Sequence, residues 1–133
     1  MKNIEEIKKI QRFTDLVVWR EGHKLILLIY KITKSFPSDE KFGLIDQMRR
    51  ASVSITSNIA EGFSKVSSKE KYKFYNTAKS SMTELQNQLI IAKDVGYLTK
   101  ASFDDIAQQS IKTNKLLNGL LKATKLKKYE SGI

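Results

Sequence analysis

The feature that most restricts this chain is how rarely it is interrupted: one proline and six glycines in 133 residues. Proline removes an amide donor and glycine forfeits backbone order, so where both are scarce long helices are the favoured local structure. The few interruptions divide the chain into four helices. Thr14 reads as an N-cap for a first helix over residues 15–36, stopped by Pro37. Pro37-Ser38-Asp39-Glu40 reads as the start of a second helix, acids at its positive end, running to Glu61 with Gly62 as its terminator. Ser67-x-x-Glu70 has the spacing of a capping box and opens a third helix that ends near Asp94, before Gly96. Ser102-Phe103-Asp104-Asp105 repeats the pattern of cap and acids, and a fourth helix follows to about Lys125. The expected organisation is therefore a polar leader over 1–13, one helical domain over 14–126 and a basic, frayed tail over 127–133. Short links between long helices favour antiparallel neighbours, so the expected fold is all-α, an up-down four-helix bundle.

Hydrophobic spacing agrees. In the third helix Tyr75, Ala78, Met82, Leu85, Leu89 and Ala92 recur at steps of three and four, the seam of a bundle helix. The second offers Ile45, Met48, Ser52, Ile55 and Ile59, with small Ala51, Ser54, Ser57 and Ala60 beside them. The fourth offers Phe103, Ile106, Ser110, Leu117, Leu120 and Thr124, with Ile111, Leu116 and Leu121 alongside. The first helix carries two stripes. Leu16, Trp19, His23, Ile26 and Tyr30 form one; Val18, Leu25, Ile29, Ile32 and Phe36 form another, displaced by roughly 120° at about 100° per residue. A bundle needs a single stripe per helix, so the second either widens the contact with the core or faces another subunit, and the subunit contact is the favoured reading.

Several classes of chemistry are excluded. With no cysteine there is no disulfide and no thiolate site, and a single histidine, His23, leaves no multi-histidine metal site in one chain. His23 lies on an apolar stripe and reads as a partly buried structural residue. Asp104 and Asp105 read as dipole complements rather than a metal pair. The chain holds no glycine-rich phosphate loop, His-Glu-x-x-His pattern or nucleophile elbow, and no convergent acid, base and nucleophile, so neither an enzyme nor a cofactor is expected. The longest apolar run, Leu25 to Tyr30, is far short of a membrane span, and the leader lacks an apolar signal core; the expected location is the cytoplasm. Gln47, Asn58, Glu61, Ser80 and Glu84 lie close to the seams. We read Gln47, Asn58, Glu61 and Glu84 as a structural hydrogen-bond network that fixes helix register; if Asn58 and Glu84 face each other, loss of either leaves a buried group unpaired.

Charge carries the functional signal. Twenty-four Lys and Arg against fourteen Asp and Glu leave a formal +10. The stretch from Lys112 to Lys128 contains six lysines and no acid. Lys65, Lys69, Lys71 and Lys73 surround the start of the third helix, interleaved with Tyr72, Phe74 and Tyr75, and Arg49-Arg50 sits in the middle of the second. Solubility and dipole compensation account for part of this excess. The remainder suits nucleic-acid phosphates, met by lysine point charges more than by base-reading arginines. The expected phosphate contacts are Arg49, Arg50, Lys112, Lys115, Lys122, Lys125, Lys127 and Lys128.

Several strings in the chain also resemble a known family. Phe13-Thr14-Asp15-Leu16-Val17-Val18-Trp19, Phe36-Pro37-x-x-Glu40 and Phe42-Gly43-Leu44-x-x-Gln47-x-Arg49-Arg50-Ala51 are three of them. Ser54-Ile55-x-x-Asn58-Ile59-Ala60-Glu61-Gly62, Ala78-x-x-Ser81-x-x-Glu84-Leu85 and Gly96-Tyr97-Leu98 complete the set. Together they resemble the family called four-helix bundle protein, which includes proteins encoded in the intervening sequences of bacterial large-subunit ribosomal RNA genes. Phe42 stands where tyrosine is usual, and Ser80 where glycine often precedes the serine. The resemblance implies an up-down bundle and a ring-like homopentamer, which would give the second stripe of the first helix (Val18, Leu25, Ile29, Ile32, Phe36) a partner. The accessory variability proteins of retroelements are similar at greater distance; they are basic pentamers that bind nucleic acid and associate with a reverse transcriptase. The expected function is thus non-enzymatic binding of RNA or DNA backbone. The competing expectation is an oligomeric scaffold that recruits a protein such as a reverse transcriptase.

Overall fold

The computed structural model describes residues 9–131, with side chains as far as Leu126. Four helices account for most of it: α1 (Val17–Thr33), α2 (Leu44–Ser64), α3 (Ser68–Asp94) and α4 (Lys100–Ser131). Short 3-10 turns at Phe13–Asp15 and Ser38–Glu40 precede the first two. Each helix packs on its neighbours in sequence and α4 closes against α1, leaving the diagonal pairs apart. Thr33 at the end of α1 meets Arg49 early in α2, and Gly62 late in α2 lies against Tyr75 early in α3. Leu89 late in α3 shares a groove with Phe103 early in α4, and Leu16 and Glu21 lie near Leu120 and Lys112, so the helices alternate up and down. Among the described residues no helix is long and apolar enough to cross a membrane.

Several helix ends differ from expectation. Thr14 lies within the first 3-10 turn, and α1 starts only at Val17. The Asp15 carboxylate accepts the amides of Gln11 and Arg12, both at 3.0 Å, and this local turn outcompetes an earlier helix start. Residues 38–40 make one 3-10 turn rather than the first turn of α2, which begins after Gly43. Ser67 caps α3 as expected, accepting the Glu70 amide at 3.1 Å. For α4 the cap is Thr99, whose hydroxyl accepts the Ser102 amide at 3.1 Å, so Ser102 is already helical. The same helix continues past Lys125 to Ser131, with no breaker before Gly132.

Gly62 does not end α2. It lies inside the helix, where a Cβ would stand 2.6 Å from Tyr75 Cε1 and 3.0 Å from Phe74 Cβ. Glycine here lets α2 and α3 approach at the end of the bundle. Gly62→Ala should therefore destabilise the fold by about 1–3 kcal/mol, the usual range for overpacking; chemical denaturation reads this directly, and unchanged stability would mean the Tyr75 ring swings aside freely. Gly96 does terminate a helix: its φ of +88° follows the last turn of α3, and Tyr97 N–H closes back on the Ala92 carbonyl at 2.9 Å.

The α3 seam is buried throughout, from Tyr75 to Ala92, against Met48, Ile55, Ile59, Ile106 and Leu117. Buried hydroxyls on α4 satisfy themselves locally. Ser110, Thr113 and Thr124 donate to the carbonyls of Ala107, Gln109 and Leu120 at 3.0, 2.9 and 2.7 Å. The stripes of α1 do not divide into core and interface: Leu16 and Trp19 of the first also pack against the core, so the second stripe widens that contact. Val18, Leu25, Ile29 and Phe36 are buried inside the bundle and Ile32 is half-buried, so they are core and not a subunit interface. The outward side is instead the one bearing His23, Leu27 and Tyr30. Its rings are wide enough to give it an apolar appearance on sequence while remaining half in water.

A candidate nucleic-acid interface

The expected phosphate contacts separate into three groups. Arg49 is committed to structure. Its Nε donates to Thr33 Oγ1 at 2.9 Å, a terminal nitrogen reaches the Tyr30 carbonyl at 3.4 Å, and the guanidinium lies 4.6 Å from the Tyr30 ring centroid. It thereby ties α2 to the end of α1. Arg50 turns the other way and meets both Asp46 carboxylate oxygens at 3.0 Å, one helical turn back, which cancels much of its charge. The two arginines line an open groove of about 530 Å³ with Tyr30, Val53 and Ser54, each holding a partner within the protein.

Lys112 is also engaged. Its Nζ lies 2.6 Å from Glu21 Oε1, and Lys24 Nζ lies 2.9 Å from Oε2 of the same carboxylate. Glu21 is only 4% exposed, an unusual position for an acid, and Gln109 Nε2 secures its backbone carbonyl at 2.9 Å. Hydrogen bonds from Lys112 and then Lys24 outweigh the opposing effect of burial and hold the Glu21 carboxyl at about 2, against an ordinary 4.5. The folded chain therefore binds this proton less tightly than the unfolded chain. Its contribution to stability is complete above about pH 4.5 and falls away as pH drops towards 2. Thermal melts across that window should show a steeper acid loss for the parent than for Glu21→Gln, and parallel curves would contradict the assignment. Nothing in the sequence marked Glu21, which sits between Arg20 and Gly22 in an otherwise ordinary helical turn.

Lys115, Lys122 and Lys125 form the third group, exposed along α4. At about 100° per residue, these three and Lys112 occupy roughly 140° of the helix circumference. The buried residues Ile106, Ser110, Thr113, Leu117, Leu121 and Thr124 occupy the other side. The lysines thus form one stripe directed away from the core. The side chains of Lys127 and Lys128 lie outside the described residues.

The lysines at the start of α3 serve partly local ends. Lys71 Nζ donates to the Phe63 carbonyl at 2.7 Å, capping the end of α2, and Lys65 sits 5.1 Å over the Phe74 ring. The expected polar network is smaller than foreseen. Gln47, Glu61 and Glu84 are exposed, and the bridge from α2 to α3 is made by serines. Asn58 Nδ2 donates to the Ser54 carbonyl at 2.8 Å and to Ser54 Oγ at 3.1 Å, and Ser54 Oγ meets Ser81 Oγ at 2.8 Å. Glu84 accepts from Gln88 Nε2 within α3, at 3.2 Å, rather than facing Asn58. Short hydroxyls reach across a close helix pair where a longer carboxylate turns out to water.

His23 is exposed rather than partly buried, and stacks on Trp19 with centroids 5.0 Å apart and planes 11° from parallel. On the far side of the bundle, Leu89, Ile90, Phe103, Ala107 and Ile111 line an apolar groove of about 240 Å³ between α3 and α4. The exposure of Ile111 accounts for its departure from the α4 seam.

Together these features define a basic, up-down four-helix bundle with a lysine stripe opposite its core. Residues 14–119 match the 23S rRNA-intervening sequence protein family, and the chain belongs to that family. Among solved structures it is similar to a protein of unknown function from the S23 ribosomal protein family of Bacteroides thetaiotaomicron VPI-5482. That likeness has 25% identity and a TM-score of 0.74, and covers 80% of this chain and 96% of the other. No curated protein matches the chain.

Proposed function

We propose that this chain is a non-enzymatic cytoplasmic protein that binds RNA or DNA through the phosphate backbone, with little sequence readout and in association with rRNA intervening sequences. The observation that carries this reading is the α4 stripe: exposed lysines on one arc, in a stretch from Lys112 to Lys128 without an acid. Lysine ammonium groups on a convex helix suit phosphates as point charges and lack the fork that reads base edges. Membership of the intervening-sequence family supports an RNA context. The protein acts as a homo-oligomer, a homopentamer by family resemblance, so that each stripe is repeated around the assembly and weak contacts add. With the buried stripe of α1 excluded, the α3–α4 groove is one apolar surface open to a second copy.

The groove also supports a second reading. Exposed Asp104 and Asp105 follow Phe103 directly, which suits a protein partner better than a nucleic acid. Binding measured over a series of salt concentrations decides between them. Backbone contact makes log affinity fall linearly with log salt. Absence of binding at low salt would overturn the first reading and leave a scaffold that recruits a protein such as a reverse transcriptase. A monomer by sedimentation would overturn the oligomeric part of either.

A further inference from the structure

The outward face of α1 begins with a row of rings. The 3-10 turn at Phe13–Asp15 sets the Phe13 ring 5.3 Å from Trp19 at 66°, an edge contact, and His23 stacks almost parallel on Trp19 one helical turn later. Packing against the core fixes Trp19, whereas His23 is exposed, so the row ends in an imidazole open to solvent. Two arginines adjoin the row along the chain. Arg12 and Arg20 are exposed, and Arg20 forms no ion pair among the described residues. Of the two acids in this region, Asp15 accepts the Gln11 and Arg12 amides, and Glu21 is buried between Lys24 and Lys112. Ordered aromatic rings, accessible at one end, beside exposed arginines are what unpaired bases on a phosphate chain require. A duplex, whose bases are already stacked, has no use for the imidazole.

We infer that His23, held by Trp19, is a stacking platform for an unpaired base, and that the chain therefore prefers single-stranded to double-stranded nucleic acid. This rests on the proposed function above and adds the strandedness of the ligand. An unpaired base extends the row by lying on His23, while Arg20 and Arg12 meet the phosphates on either side. The α4 stripe supplies affinity common to both forms.

Trp19 is the only tryptophan in the chain, so its emission reports on this site alone. The test titrates the full-length protein with a fluorescein-labelled, unstructured single strand of roughly a dozen nucleotides, as RNA and as DNA, and with the same strand annealed to its complement. Anisotropy reads binding, and tryptophan emission reads the platform. The single strands should quench Trp19 and the duplex should not. His23→Ala, at an exposed position, should weaken single-strand binding about fivefold or more and duplex binding hardly at all, with His23→Phe restoring it. Binding by anisotropy with silent tryptophan, or an equal loss on both forms, overturns the platform while the proposed function stands. Absence of binding to any strand overturns both. Emission that depends on protein concentration but not on nucleic acid assigns the face to a second copy and overturns the platform.

Discussion

Replacing Leu25 by alanine should lower the stability of the fold by about 2–5 kcal/mol, with a fall in melting midpoint on the order of 10 °C. Leu25 has no exposed surface and lies in the core with Ile29 and Leu117. The substitution removes buried methyl groups and leaves a cavity that rigid neighbouring helices only partly close. Out of a typical total of about 5–15 kcal/mol this is a large share. Were Leu25 an intersubunit contact, its loss would act through association and grow with dilution. The core position predicts instead that the difference between variant and parent is the same at every protein concentration. Denaturant titrations at several concentrations check both statements together.

The second large effect concerns the lysine stripe. Lys115→Ala combined with Lys122→Ala should reduce affinity for nucleic acid about 60-fold at roughly 0.1 M salt, and flatten the log–log salt slope by about 2. The arithmetic is that each phosphate neutralised contributes about 0.9 to the slope, or about eightfold in affinity at that salt. Both side chains are exposed, so the unfolding midpoint should stay where it is. Lys112 is left out deliberately, because removing it also strips Glu21 of its nearer partner. A slope unchanged in the double variant would remove the stripe from the interface.

Much of the fold was legible because bundle packing is written as periodicity. The α3 seam needed only its spacing, and the Ser67 cap only a hydroxyl three residues before Glu70. What failed were choices between nearly equivalent local structures. A 3-10 turn held by Asp15 displaced the start of α1, and Gly62 served close approach rather than termination. The two stripes of α1 could not be ranked by spacing alone, since both lie on helical repeats. Which one faces inward depends on where α2 and α4 stand, and that is tertiary information. The site was legible in its lysines but not in their partners. Charge composition reveals the excess on α4; it does not reveal that Asp46 takes Arg50, that Thr33 and Tyr30 take Arg49, or that Glu21 takes Lys112. The stack of His23 on Trp19 had a signal, a four-residue helical step between two rings, and the sequence reading assigned it to burial instead.

The clasp of Glu21 by Lys112 also bears on how the chain acquires its shape during synthesis. The two residues belong to the first helix and the last, so the α1–α4 wall of the core cannot form until α4 has been made. Helices α1 to α3 can pair in order as they emerge, since each lies beside its predecessor, but until then the Leu25 and Ile29 face of α1 lacks one of its walls. Closing so long a loop carries an entropic cost that the pairing of neighbouring helices avoids. The ion pair therefore sits where folding is completed, and an incomplete chain would present an apolar seam to whatever is nearby.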